Sequence, residues 1–335
     1  MSLSSKRKRK ALALLSGGLD STLAAKLIMD QGILVEGIGF ITPFSHCLEG
    51  KSCAAAKVAS RLGLRLRIVD VGEKYFRLVE NPLHGYGKHL NPCIDCRIFQ
   101  LSKAKEYAAE IHADFIITGE VLDQRPMSQH LKALTLIERE TCLEGRILRP
   151  LSARLLPETD AEQKGWVDGK SLLDIHGRSR RRQMELAKSL GVTDYPSPAG
   201  GCLLTDPIFS ARLKDLIESE KTLNPRSVSL LRIGRHFRLG QNKIVVGRNE
   251  EENRRLMELK NPRDYFFEVS DYASPTTLLL GPESEEAIRI AASITARYSD
   301  APGDKVLVKF GRQSLDRSFI VFPLQDEDIA KMRVG

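Results

Sequence analysis

Residues 11–22, Ala-Leu-Ala-Leu-Leu-Ser-Gly-Gly-Leu-Asp-Ser-Thr, constrain this chain more than any other stretch. The apolar run 11–15 reads as a buried strand. After the turn Ser16-Gly17-Gly18-Leu19-Asp20-Ser21, Leu23, Ala24, Leu27 and Ile28 recur at helical spacing. A glycine turn joining a strand to a helix N-terminus suits a phosphate. Gly17 and Gly18 let the backbone come close, and the first helical N–H groups point at the anion. Ser16 and Ser21 add hydroxyl donors, with Thr22 beside them. Asp20 would repel phosphates unless it holds Mg²⁺, which reverses the local charge logic. This is not a Walker loop. The nearest approach to one, Gly165 to Gly169-Lys170-Ser171, has one residue too few between its glycines and no strand before it, so it reads as a surface turn.

The expected fold class is α/β. Residues 33–41 and 66–71 are further apolar strands, residues 53–62 a helix between them, and 113–119 another strand. Such alternation predicts an open parallel sheet covered on both faces, with ligands at the carboxyl ends of its strands. The 335 residues suffice for two domains. We expect a basic tail over 1–10, a nucleotide-binding domain over 11–224, and a smaller α+β domain over 225–335, divided near Asn224-Pro225. No apolar run reaches membrane-spanning length, and no signal peptide is read in the basic start. The net charge of +8 favours a polyanionic partner such as RNA.

Six cysteines are too few for a disulfide scaffold and point to a reducing, cytoplasmic setting. Cys93 and Cys96 form a Cys-x-x-Cys at a predicted helix start. Pro92 stiffens the entry, and the helix dipole and Arg97 favour thiolates there. The pair is either a disulfide-exchange couple or two ligands of a thiophilic centre, and a third ligand would decide. Cys202, within the proline- and glycine-rich stretch 194–206, is the candidate. Three cysteines leave one position of a zinc ion or cubane cluster open. Cys47 and Cys53 fit no familiar ligand spacing and read as structural or incidental.

The strand 113–119 ends in Thr118-Gly119-Glu120, followed by Gln124 and Ser128-Gln129. That segment is either ordered by a ligand at the sheet's binding edge or an ordinary surface loop. Arg178, Arg180, Arg181 and Arg182 form a cationic block that would face phosphates well, or else a solvated helix end.

In order along residues 10–206, these features resemble the tRNA thiolases of the PP-loop ATP pyrophosphatase class, above all the 4-thiouridine synthases. The resemblance implies ATP on the 16–21 loop with Thr22, Thr118, Gly119 and Gln124, and Mg²⁺ at Asp20. It implies a 4Fe–4S cluster on Cys93, Cys96 and Cys202, with zinc or no metal as the alternatives. Asp20 and the three cysteines are then the catalytic set. Sulfur comes from sulfide or a sulfur carrier, the acceptor is tRNA, and a homodimer stays open. The usual N-terminal RNA-binding extension and a rhodanese-like domain are not seen. Residues 236–320, with Lys243, Arg248 and the aromatic run 265–267, resemble the NFACT RNA-binding domain. That implies RNA docking from the back of the chain. Thiolation of another base, amide formation, or a non-catalytic RNA-binding protein with structural zinc are the competing readings.

Overall fold

A computed structural model describes residues 7–45, 53–195, 202–220 and 222–335. Cys47, the Pro196-to-Gly201 part of the proline–glycine stretch, and the first six residues of the basic tail lie outside the described residues. The chain forms two compact units, Met1–Leu203 and Leu204–Gly335.

The first unit is α/β. Its five strands are β1 (Lys10–Leu14), β2 (Leu34–Ile41), β3 (Leu66–Asp70), β4 (Phe115–Ile117) and β5 (Ile147–Leu148). They run parallel in the order β3-β2-β1-β4-β5. The helices are α1 (Leu19–Met29), α2 (Ala54–Leu62), α3 (Lys74–Glu80), α4 (Cys93–Glu110), α5 (Leu131–Thr141), α6 (Asp160–Gln163) and α7 (Arg181–Ser189). Strand periodicity decides which helices cover which face. Ala11 and Ala13 pack with Ala24, Ala25 and Ile28 of α1 and Ala55 of α2. Leu12 and Leu14 face the other way, onto Leu101, Ala104 and Ala108 of α4 and Ile137 of α5. Burial on both faces explains why β1 reads as unbroken apolar sequence rather than alternation. The strand order reverses between β1 and β4. Their carboxyl ends flank the crevice where such sheets take ligands, and they carry the serine–glycine turn and Thr118-Gly119.

The second unit opens with α8 (Pro207–Ser219) and α9 (Pro225–Leu230). The division expected near Asn224-Pro225 falls inside this unit. Asn224 is a helix cap there: its Oδ1 accepts from Ser227 N at 2.9 Å, and Pro225 occupies the first helical turn. The sheet holds β6 (Arg235–Leu239), β7 (Asn242–Val246), β8 (Tyr265–Val269), β9 (Thr277–Leu280), β10 (Val306–Gly311) and β11 (Arg317–Val321), all antiparallel. The remaining helices are α10 (Glu250–Leu259), α11 (Glu285–Arg297) and α12 (Asp326–Met332). Ile244 and Val246 face the core built on α11, and Val245 the smaller core with Leu256 of α10. Strands β6 and β11 were not anticipated. Among the described residues, no helix is long and apolar enough to cross a membrane.

Candidate active site

The serine–glycine turn is shaped by its own hydroxyls. Ser21 Oγ donates to Gly18 O at 3.0 Å and lies 3.2 Å from Ser16 Oγ, and Thr22 Oγ1 donates to Gly18 O at 2.9 Å. Gly18 caps α1 with no side-chain bond, so the helix's first N–H groups stay open to an anion. Gly17 has φ +80°, and a Cβ there would sit 2.4 Å from the Ala54 carbonyl carbon. Only glycine suits both the angle and the approach of α2.

Thr118-Gly119 packs onto the same helix start. A Cβ on Gly119 would lie 2.4 Å from Ser21 N and 2.5 Å from the Asp20 carbonyl carbon. The fold thus brings Ser16, Gly17, Gly18, Asp20, Ser21, Thr22, Thr118 and Gly119 together. Gln124 joins them, its Nε2 donating to Asp20 Oδ2 at 2.8 Å. Asp20 Oδ1 is buried and accepts no hydrogen bond among the described residues. An orphan carboxylate oxygen beside a helix N-terminus is a fit for a cation.

The loop after β4 makes hydrogen bonds of its own. Asp123 N donates to Gln129 O at 2.8 Å, Gln129 N to Arg125 O at 3.0 Å, and Ser128 and Gln129 are buried. Glu120, 1% exposed, sits between two arginines: Arg97 Nε is 2.9 Å from Oε1 and Arg149 Nε 3.0 Å from Oε2. Arg149 also pairs with Glu138. Burial would raise the Glu120 carboxyl, but the two guanidiniums and the Thr118 hydroxyl hold it below its ordinary range.

Arg97 adjoins the cysteine pair. Cys93 and Cys96 open α4, as the sequence suggested, and between them Asp95 accepts from Leu83 N at 3.0 Å and His84 N at 3.1 Å. The expectation of stabilised thiolates is not met. Burial pushes both thiols up. Arg125, Asn91, Arg97 and Ser128 at Cys93, and Tyr75, Arg97 and Arg125 at Cys96, reverse this only in part. A bound thiophilic centre would itself deprotonate them.

Cys202 arrives from far along the chain. Leu203 N donates to Phe44 O at 3.2 Å, and the Phe44 ring lies 6.0 Å from that of Tyr75. Tyr75 is held well above its ordinary pKa by burial, by its hydrogen bond to Cys96, and by Cys202 and Cys93. One phenol therefore feels all three thiols. Among the described residues no three His, Cys, Asp or Glu side chains close on a single ion. Three thiols acting on one phenol are the donor type that a thiophilic centre takes.

The arginine block divides. Arg181 and Arg182 have side chains 86% and 53% exposed and pair with Glu185 and Asp174, and Arg178 is exposed. Arg180 turns inward, 19% exposed, with Nη2 3.9 Å from Asp20 Oδ1. In the second unit Arg248 is half exposed and pairs with Glu252. Lys243 is not on a surface: its Nζ is buried 2.7 Å from Asp215 Oδ2. That corrects its expected contact with RNA, because a buried ammonium does not reach a phosphate. Cys53 begins α2 and packs on the core, and Gly169–Ser171 is a short 3-10 turn.

Sequence reasoning missed Gln183, which is fully buried and donates through Nε2 to Gln124 Oε1 at 3.1 Å. It also missed the approach of Arg125 and Ser128 to Cys93. Gln124 on Asp20 and Arg125 beside Cys93 are consecutive residues, so one loop spans both groups.

Residues 7–154 match the family model described as thiamine biosynthesis protein (ThiI), and residues 234–333 the one described as NFACT protein RNA binding domain. A tRNA-specific 2-thiouridylase MnmA of Syntrophotalea carbinolica is 34% identical over 122 residues, 34% of this chain and 35% of that protein. The MnmA of Sulfurimonas denitrificans is 24% identical over 312 residues, 90% of this chain and 84% of that one. A probable tRNA sulfurtransferase of Ureaplasma parvum is 34% identical over 147 residues, 43% and 37% of the two. The relatives at 34% identity are thus matched over little more than a third of their length. A 4-thiouridine synthetase crystallised with RNA and ATP is 23% identical and superposes with a TM-score of 0.39, over 67% of this chain and 51% of that one. Residues 7–154 are thus similar to the ThiI family and residues 234–333 to the NFACT RNA-binding domain.

Proposed function

We propose that the chain is an ATP-dependent tRNA sulfurtransferase that exchanges a uridine carbonyl oxygen for sulfur, making 4-thiouridine at tRNA position 8. The observation that carries this is the loop after β4, which puts Gln124 on Asp20 and Arg125 and Ser128 beside Cys93. The ThiI match and the sulfurtransferase relative support it.

In this reading Ser16, Gly17, Gly18, Ser21 and Thr22 cradle the triphosphate, Asp20 holds Mg²⁺, and Thr118 and Gly119 line the nucleotide. The carbonyl oxygen attacks the α-phosphorus, the α–β bridging bond breaks, and pyrophosphate leaves. The N3 proton is lost as the base becomes the adenylated form. Hydrosulfide then attacks the ring carbon, the C–O bond breaks and AMP leaves, while the sulfur's proton returns to N3. Cys93, Cys96 and Cys202 would hold a 4Fe–4S cluster, which would supply sulfur-binding chemistry to the site. Tyr75 stays protonated and donates to Cys96, and Arg125 offsets thiolate charge at Cys93. Arg178, Arg181, Arg182 and Arg248 are the surface cations for tRNA phosphates.

A second reading is thiolation at another carbonyl of a tRNA base. The match to a 2-thiouridylase over most of both chains favours it. One experiment separates the two. The protein is loaded anaerobically with iron and sulfide, given ATP, Mg²⁺, sulfide and an unmodified tRNA transcript, and the RNA is digested for nucleoside mass spectrometry. A 4-thiouridine peak that needs both ATP and iron supports the main reading, and 2-thiouridine the second. No thionucleoside from a loaded protein that binds the tRNA removes both.

A further inference from the structure

The serine–glycine turn contains no cation. Residues 16–22 offer backbone, hydroxyls and one carboxylate, whereas a Walker loop carries its own lysine. A triphosphate with one Mg²⁺ still bears net negative charge, and helix N–H groups supply only partial charge.

The cation comes from the segment before α7. Leu173 N donates to Pro150 O at 2.9 Å, Ile175 N to Leu151 O at 2.8 Å, and Gly177 N to Leu122 O at 2.7 Å. This strap runs beside the ends of β4 and β5. Gly177, with φ +80°, then turns the chain so that Arg180 enters the site while its neighbours stay outside. Arg180 and Asp20 are not joined. The closest approach is 3.9 Å, and both Arg180 Nε and Asp20 Oδ1 are buried without a hydrogen-bond partner among the described residues. A pair meant only to neutralise itself would close to hydrogen-bond distance. Asp20 is kept from closing it by Gln124 on its other oxygen, and Gln124 is fixed in turn by the buried Gln183.

We propose that Arg180 is a substrate-binding residue of the ATP site, taking β- or γ-phosphate oxygens with its guanidinium, and that Gln183 positions Asp20 through Gln124 to keep that gap open. This rests on the ATP-loop reading above and withdraws Arg180 from the RNA-facing block.

The test is direct binding of Mg·ATP, Mg·ADP and AMP to the full chain by calorimetry, alongside tRNA binding by filter retention. For Arg180→Ala, ATP affinity falls about 10- to 100-fold, the loss expected for a charge-assisted hydrogen bond to phosphate, and AMP affinity stays within about threefold. Its tRNA affinity is unchanged. Arg180→Lys keeps the charge but not the fork, and falls between. Gln183→Leu lowers ATP affinity less and weakens its dependence on Mg²⁺ concentration, which loss of packing alone would not do. Equal loss for ATP and AMP, or intact ATP binding with weakened tRNA binding, overturns the proposal. If the wild type binds no ATP, the proposal falls together with the PP-loop reading. If the wild type binds and Arg180→Ala binds equally well, only the proposal falls.

Discussion

Gly119→Ala puts one methyl where the carboxyl end of β4 meets the N-terminus of α1. The new carbon would lie 2.4 Å from Ser21 N, 2.5 Å from the Asp20 carbonyl carbon and 2.6 Å from Ser21 Cα. All three are backbone atoms, so no side chain can swing aside. The strand end and the helix start must separate by roughly 1 Å to restore van der Waals contact. Overpacking of this kind costs about 1–3 kcal/mol, and two rigid backbones argue for the upper part of that range. For a unit of about 200 residues this lowers the melting temperature by roughly 4–10 °C. The displaced residues are those that would hold Mg²⁺ and phosphate, so Mg·ATP affinity should fall at least about tenfold even well below the melt. Gly18→Ala is the internal comparison. Gly18 has φ −83°, and its Cβ would meet only Ser16 Oγ, at 3.3 Å. That variant should melt within about 2 °C of the wild type, since surface-like substitutions cost little. Thermal melts and calorimetric ATP titrations of both proteins decide it. If Gly119→Ala melts and binds ATP as the wild type does, the packing argument is wrong.

Glu120→Gln leaves the guanidiniums of Arg97 and Arg149 without their shared charge, and should cost about 3–5 kcal/mol at neutral pH. The wild-type carboxyl is held below its ordinary range despite burial. Its contribution is therefore full above the unfolded value and drains as pH falls through the folded one, so urea melts stepped into acid should show the wild-type advantage shrinking. Lys243→Met keeps the alkyl stem, and Arg238 remains on Asp215 at 2.8 Å. We expect a loss of about 1–3 kcal/mol by urea titration and tRNA affinity within about twofold of wild type. Arg181→Glu with Arg182→Glu should leave the melt unchanged and flatten the salt dependence of tRNA binding, by about one unit of slope for each phosphate these side chains neutralise in the wild type.

The parallel sheet was legible because its central strands β1 and β4 are buried on both faces and α2 shows a clean apolar stripe. The serine–glycine turn was legible because glycine, hydroxyl and carboxylate at that spacing suit few other things. Strands β6 and β11 were not. Arg-His-Phe-Arg-Leu at β6 carries charge at its first and fourth positions, the second of these arginines being spent on Asp215. Strand β11 is an edge with Ile320 69% exposed, so neither shows a buried run. The site was legible in its motifs and hidden in its burial. Nothing in Leu-Arg-Pro-Leu tells that Arg149 is 4% exposed between two glutamates. Nothing in the Cys-x-x-Cys tells that burial pushes both thiols up. In the run of arginines, one residue points inward, and a count of charges cannot say which. Gln183 lies within the helical spacing of α7 like any polar residue, and only the packing of α7 on α1 makes it part of the site.

The loop after β4 sets a gauge. Gln124 and Arg125 are neighbours on the chain, so a single stretch of backbone serves both the phosphate end on α1 and the thiol end on α4. An inserted residue between them would leave the turn and the cysteines on their own helices and change only which side chain each end receives from the loop. In the sulfurtransferase reading proposed above, one end would then lose its side chain from this loop, and a base activated but not thiolated would be returned to uridine by water. The fault would show as a ratio: pyrophosphate released in excess of sulfur incorporated. Counting the two together would measure how well the loop keeps the halves in step.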